Sequence, residues 1–234
     1  MRFNPLPLFA LLWLAACGAV PAEQARGTPA GAVAPSMASL RAHGVTLGAA
    51  VAVDGRHLVT NAHVLRRVGD DLVLRSADGL RDAPAEIVAI SPRMDLAVLR
   101  MPEGFLAPAA AAPGAPVRGS PIWALGPEGL GRAVVAGRVE EPEARMRRFG
   151  PGFIARLGVL MGFSGGPVVD AEGRVLGLTT ALPEPGATPV LAALTGVDVV
   201  GLTAGDRRRV FVLGMGEALA EARRLTQGPQ LAAR

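Results

Sequence analysis

Short apolar runs, each cut off by a turn signal, set the limits on what this chain can fold into. Residues 45–53, 57–60, 72–75, 85–90 and 96–101 are runs of four to nine residues rich in Val, Leu, Ile and Ala. They are too short for helices and read as strands. Asp54-Gly55 and Asp78-Gly79 stand between them as hairpin turns. An Ala- and Pro-rich stretch, residues 105–119, then breaks the series. A second series follows at 120–125, 133–139, 153–157, 167–169, 174–180 and 209–213, with Asp170-Ala171-Glu172-Gly173 as another turn. Near the end, Ala218, Leu219, Ala222 and Leu225 recur at helical spacing. The expected fold is therefore all-β, in two units with a C-terminal α-helix. The first unit spans about residues 44–104 and the second about 118–213.

Half of the residues are hydrophobic, but aromatics make up only 4% and Tyr is absent, so Val, Leu, Ala and Ile must build the core. Every basic residue is Arg, and the net charge is only +4. That balance gives no footing for a nucleic-acid partner. The runs Arg145-Met146-Arg147-Arg148 and Arg207-Arg208-Arg209 read as solvated loops. The one Cys, Cys17, leaves no internal disulfide to form.

The N-terminal residues read as a targeting segment. Arg2 supplies the positive start, and residues 6–16 form an apolar stretch too short to span a bilayer. Leu14-Ala15-Ala16-Cys17 resembles the lipobox of bacterial lipoproteins, in which Cys17 would carry the lipid and begin the mature chain. Cleavage as an ordinary signal peptide after Ala22 is the alternative. The expected organisation is a signal peptide at 1–16, a flexible tether at 17–36 and a folded domain at 37–227. The tether is expected from its Ala, Gly and Pro content.

Three segments carry candidate chemistry. In Gly162-Phe163-Ser164-Gly165-Gly166-Pro167, glycines flank a serine. An exposed hydroxyl on a tight turn, with free backbone N–H groups beside it, is what acyl transfer requires. Glycine permits the backbone angles of such a turn. A hairpin strand follows, not a helix, which disfavours an α/β-hydrolase elbow. In Leu58-Val59-Thr60-Asn61-Ala62-His63-Val64 a strand ends and a histidine follows it. His43 and His57 are its competitors. In Asp95-Leu96-Ala97-Val98-Leu99 a carboxylate opens an apolar strand and could orient an imidazole.

The order His, Asp, Ser, with separations of 32 and 69 residues, resembles that of the trypsin-like peptidases of the bacterial HtrA/Deg branch. The three segments above are similar to that family's catalytic motifs, and the likeness extends over residues 44 to about 225. The resemblance implies two six-stranded antiparallel β-barrels of the chymotrypsin fold, with the site in the cleft between them. It implies His63 as base, Asp95 as its orienting carboxylate and Ser164 as nucleophile. It places the oxyanion hole at the backbone N–H groups of Gly162 and Ser164. The substrate pocket is expected between Gly158-Val159-Leu160-Met161 and Leu178-Thr179-Thr180-Ala181. Neither wall contains Asp or Glu, so an apolar residue before the scissile bond is expected; the alternative is a carboxylate from Asp198 or Asp206, in the long connection after the second wall, folded back toward the pocket. No cofactor or metal is expected.

The expected partners are a protein or peptide substrate and, through Cys17, a membrane. The expected location is the periplasmic side of a bacterial envelope. Two departures from the family stand out. Phe163 occupies the position before the serine where Asn is common, and the 70 residues after Ser164 are expected to be taken up by the second unit and the helix, so the family's usual PDZ domain is not expected. The alternatives are a catalytically silent binding lipoprotein of the same fold and an esterase using the same three residues.

Overall fold

The computed structural model describes residues 20–66, 71–130, 132–180 and 208–227. The first series of apolar runs forms β1 (Met37–Ala42), β2 (Val45–Ala52), β3 (His57–Thr60), β4 (Val73–Ser76), β5 (Asp82–Pro84), β6 (Glu86–Ile90) and β7 (Ala97–Arg100). Their order in the sheet is β5-β4-β1-β2-β3-β7-β6, all antiparallel. The two ends of this order are consecutive in the chain. Only Ala85 separates β5 from β6, and its N–H bonds to the Leu72 carbonyl. One bent run thus pairs with β4 at one end and β7 at the other, which curls the sheet into a half-barrel, called the first barrel below. Pro84, which has no N–H to donate, sits at the bend.

The second series forms β8 (Pro121–Leu125), β9 (Val134–Met146), β10 (Gly150–Leu157), β11 (Pro167–Val169), β12 (Val175–Thr180) and β13 (Arg209–Gly214). These close fully in the order β10-β13-β12-β11-β8-β9. A 13-residue helix, labelled α2 here (Met215–Gln227), follows directly on β13. The chain adopts the expected all-β fold in two units with a C-terminal helix. The second unit is the expected closed six-stranded barrel, whereas the first is a half-barrel of seven strands, because the bend at Ala85 splits one run into β5 and β6.

Side-chain alternation explains why several strands are apolar throughout. On paired β3 and β7, Leu58 and Leu99 point into the first barrel with Leu40 and Leu74. Val59 and Val98 point the other way, into a cluster shared with Leu125, Leu178 and Phe211 of the second barrel. That cluster also takes Met215, Ala218 and Ala222 from α2. A third cluster, including Ile122, Phe153, Leu157, Phe163 and Val212, fills the second barrel. The contact between the two β-units is therefore a dry core to which both contribute.

From residue 20 onward the segment expected as a free tether is folded. Helix α1 (Pro21–Gln24) and two short 3-10 turns, Pro29–Ala32 and Ala34–Ser36, lie against both barrels. Ala25 and Ala30 are fully buried. The Ala22 N–H bonds to the Ala77 carbonyl of the first barrel, and Gln24 Oε1 accepts the Ala133 N–H of the second at 2.6 Å. Small side chains and prolines, which composition assigns to a linker, here permit close packing. Cys17 and the rest of residues 1–19 lie outside the described residues.

Candidate active site

His63 lies on a short 3-10 turn, Ala62–Leu65, that follows β3. Asp95 ends the turn between β6 and β7. Its carboxylate grips His63 twice. Oδ1 accepts the backbone N–H at 2.9 Å, and Oδ2 lies 2.6 Å from ring Nδ1. Asp95 is buried and His63 only partly so. An Nδ1–H donated to the carboxylate leaves Nε2 with its lone pair free, which is the tautomer a general base needs.

The competing histidines are held otherwise. His57 Nδ1 pairs with Asp54 at 2.9 Å inside the exposed β2–β3 turn. Partial burial works against ionisation of Asp54, but hydrogen bonds from the Arg56 N–H and from His57 outweigh it and lower its pKa. This pair caps a hairpin. His43 is exposed in the β1–β2 turn, 3.5 Å from Asp71.

Ser164 sits on the turn between β10 and β11. The turn uses most of its own N–H groups. Phe163 donates to Leu160, Gly165 to Thr179, and Gly166 to Phe163. The N–H groups of Gly162 and Ser164 donate to no backbone carbonyl among the described residues. These are the two donors expected to face an oxyanion. Gly162 has φ +99°, a conformation that favours glycine. Leu130, on the loop after β8, packs over Gly162, and the Phe163 ring packs against Gly126 of the same loop.

The serine turn docks on the first barrel. The Ser164 carbonyl accepts the Ala49 N–H from β2 at 2.9 Å. A Cβ built on Gly48 would meet that carbonyl at 2.7 Å and Val64, next to His63, at 3.0 Å. The serine and histidine turns thus converge on one glycine of β2. Ser164 Oγ has no hydrogen-bond partner among the described residues, His63 included.

Sequence reasoning missed Asn61. This fully buried side chain donates through Nδ2 to the Asp95 carbonyl at 3.0 Å and to Thr180 Oγ1 at 2.9 Å. It ties the aspartate turn to the second barrel. Nothing in the sequence distinguishes this role from that of any polar residue before the histidine.

The expected pocket walls are only partly exposed. Leu178, Thr179 and Thr180 have no accessible surface, and Ala181 lies outside the described residues. Thr179 exchanges backbone hydrogen bonds with the serine turn, and Thr180 serves Asn61. On the other wall Val159 and Leu160 are buried and Met161 is half exposed. The Val159 carbonyl accepts Arg208 Nη1 at 3.0 Å, so this arginine is buried, not solvated.

A profile of the trypsin-like peptidase domain matches residues 47–178. The chain belongs to that family. It is 37% identical over 147 residues to a probable periplasmic serine endoprotease DegP-like of Brucella suis, covering 59% of this chain and 28% of the relative. It is 30% identical over 156 residues to the chloroplastic Protease Do-like 1 of Arabidopsis thaliana, covering 62% of this chain and 35% of the relative. The chain thus spans about a third or less of the relatives' length. Among solved structures, the active form of the Rv3671c protease from M. tuberculosis superposes with TM-score 0.65 at 20% identity, covering 100% of this chain and 96% of that one. The HtrA-type protease AlgW with a tripeptide superposes with TM-score 0.67 at 24% identity, covering 86% and 63%.

Proposed function

We propose that the chain is a serine endopeptidase in which His63, Asp95 and Ser164 act as one catalytic unit. The observation that carries this reading is the double grip of Asp95 on His63, with 2.6 Å between carboxylate and ring. Ser164 Oγ attacks the peptide carbonyl while Nε2 of His63 takes its proton. His63 then passes that proton to the leaving amine, and the peptide bond breaks to give an acyl-enzyme. Water repeats the cycle and releases the acid. Asp95 holds the imidazole and stabilises its charged form. The N–H groups of Gly162 and Ser164 receive the oxyanion.

The substrate class is protein or peptide, supported by the endoprotease name of the Brucella relative and by the peptide held in the AlgW structure. The same relative supports a periplasmic location. Anchoring through a lipid on Cys17 belongs to this reading as well. Because helix α1 opens at Pro21, a few residues after Cys17, such an anchor holds the catalytic unit close to the membrane surface. Cys17→Ser moving the protein to the soluble fraction supports the anchor; unchanged membrane association rules it out.

The test of the activity is labelling by a fluorophosphonate probe, read by mass, together with digestion of casein. Label on Ser164 and loss of digestion in Ser164→Ala, by at least ~10³-fold, are the expected results. Digestion at the wild-type rate by Ser164→Ala protein overturns the assignment.

A further inference from the structure

The turn that carries Asp95 is held from outside its own barrel. Glu221 projects from α2 and is only 5% exposed. A buried carboxylate needs partners, and Arg224 supplies two contacts, Nε to Oε2 at 2.8 Å and Nη2 to Oε1 at 2.6 Å. That pair satisfies the helix. It does not account for the third contact, in which Ser91 Oγ donates to Oε1 at 2.6 Å.

Ser91 opens the turn that Asp95 ends. With its proton committed to Glu221, its oxygen accepts the backbone N–H groups of Arg93 at 3.1 Å and Met94 at 3.3 Å. This uses the full capacity of a hydroxyl, one donor and two acceptor positions. The Ser91 N–H closes the turn on the Leu96 carbonyl at 2.9 Å. The β9–β10 hairpin braces the other side. Gly150 packs on Met94, and the Asp95 N–H points at the Phe149 carbonyl, 3.4 Å away.

We propose that Ser91 and Glu221 are positioning residues of the hydrolytic reaction. The helix carboxylate orients the Ser91 hydroxyl, the hydroxyl fixes the 91–95 turn, and the turn presents Asp95 to His63. The proposal rests on the reading of His63, Asp95 and Ser164 as the catalytic unit. Its weight comes from geometry. Asp95 must offer one oxygen to a backbone N–H and the other to a ring nitrogen at once, so a small tilt of the turn breaks one of the two bonds. Misplacement on the scale of 1 Å is enough to cost ~100-fold in rate.

A purely structural tie between helix and barrel would lower thermal stability and leave the chemistry alone. The experiment therefore reads the rate of fluorophosphonate labelling of Ser164 across about pH 5 to 9. The proteins are wild type, Ser91→Ala, Ser91→Thr and Glu221→Met. Ser91→Ala is expected to lower the plateau rate about tenfold and to move the half-maximal pH downward, because a poorly held Asp95 stabilises the imidazolium less. Glu221→Met should act in the same direction, and Ser91→Thr, which keeps the hydroxyl, should restore both readouts. Amide exchange at Arg93 and Met94 should quicken in Ser91→Ala. Unchanged plateau, midpoint and exchange in Ser91→Ala and Glu221→Met, with only melting temperature reduced, overturn the proposal. Wild-type protein that never labels overturns the catalytic reading instead, and the exchange measurement then still decides whether the brace exists.

Discussion

The carbonyl of Ser164 accepts its hydrogen bond from Ala49, a residue of the opposite barrel, at 2.9 Å. The candidate nucleophile is therefore registered directly against β2, the strand on which the histidine turn also rests. The fit leaves no space for a side chain. A Cβ on Gly165, which has φ +81°, would fall 2.1 Å from the Ala49 carbonyl oxygen and 2.3 Å from Thr60 Oγ1. Thr60 Oγ1 is itself bonded to that same carbonyl at 2.7 Å.

Gly165→Ala should consequently force the two barrels apart at the site. A cost on the order of 3 kcal/mol or more is expected from strain and lost contacts, or about 6–12 °C in melting temperature for a domain of this size. Labelling of Ser164 should fall even at temperatures where the protein stays folded. A Gly165→Ala protein that melts and labels like wild type would show that the serine turn does not depend on this docking.

The primary specificity is expected to be for apolar residues such as Val, Ala, Leu or Ile before the scissile bond. Neither wall segment, 158–161 or 178–181, supplies a carboxylate, and a buried cation without a partner costs several kcal/mol. The described part of the second wall supports the site from beneath, because Leu178, Thr179 and Thr180 are wholly covered. Thr180→Val should therefore weaken the Asn61 link, by about 1 kcal/mol, and slow cleavage without altering which residue is preferred. Mass-spectrometric mapping of cuts in an unfolded protein checks both parts. Cuts chiefly after Arg would refute the apolar pocket, and a changed preference in Thr180→Val would put that side chain in contact with substrate.

The strands legible in the sequence were those whose apolar runs ended in clear turns. β1 was not, because Met37-Ala38-Ser39-Leu40-Arg41-Ala42 contains no β-branched or aromatic residue. It is a strand because β2 and β4 pair with it on both sides. β5 was invisible for a similar reason, being three residues, Asp82–Pro84, without strand character. The candidate catalytic residues were legible because their chemistry restricts residue type: a serine among glycines, a histidine after a strand, an aspartate before one. Asn61, Ser91 and Glu221 act through contacts 34 to 130 residues away in sequence, and no local pattern marks such a partner. The N-terminal segment misled because Ala, Gly and Pro serve a linker and a closely packed strap equally well.

Glu221 makes the stability of the C-terminal helix contact depend on acid. Hydrogen bonds from Arg224, and then from Ser91, outweigh burial and lower its pKa from 4.5 to about 2. The folded state thus holds this proton less tightly than the unfolded chain. Its contribution is complete above about pH 4.5 and is lost as pH falls towards 2. The size is up to about 3 kcal/mol, less what solvent around Arg224 screens. Other carboxylates also titrate there, so the informative quantity is the gap in melting temperature between wild type and Glu221→Gln. That gap should be constant above about pH 4.5 and should close as the pH approaches 2. A gap independent of pH would mean that Glu221 is not ionised against Arg224 in the folded protein.

The N-terminal segment should behave as part of the fold. Ala25 and Ala30 are fully buried, Val33 is 2% exposed, and all three belong to the cluster shared by the barrels. Gln24 closes on the Ala133 N–H at 2.6 Å, at the end of the loop whose Leu130 covers Gly162. Removing the residues before 34 uncovers that cluster and frees the loop, whereas removing only those before 20 touches none of these contacts. Burial of small apolar side chains is worth roughly 1 kcal/mol each, so the longer deletion should cost about 3 kcal/mol and some 6–12 °C. It should also slow labelling of Ser164, through Leu130 and the oxyanion turn, by more than the shorter deletion does. Equal melting temperatures and equal labelling rates for the two deletions would return residues 20–33 to the role of a free tether.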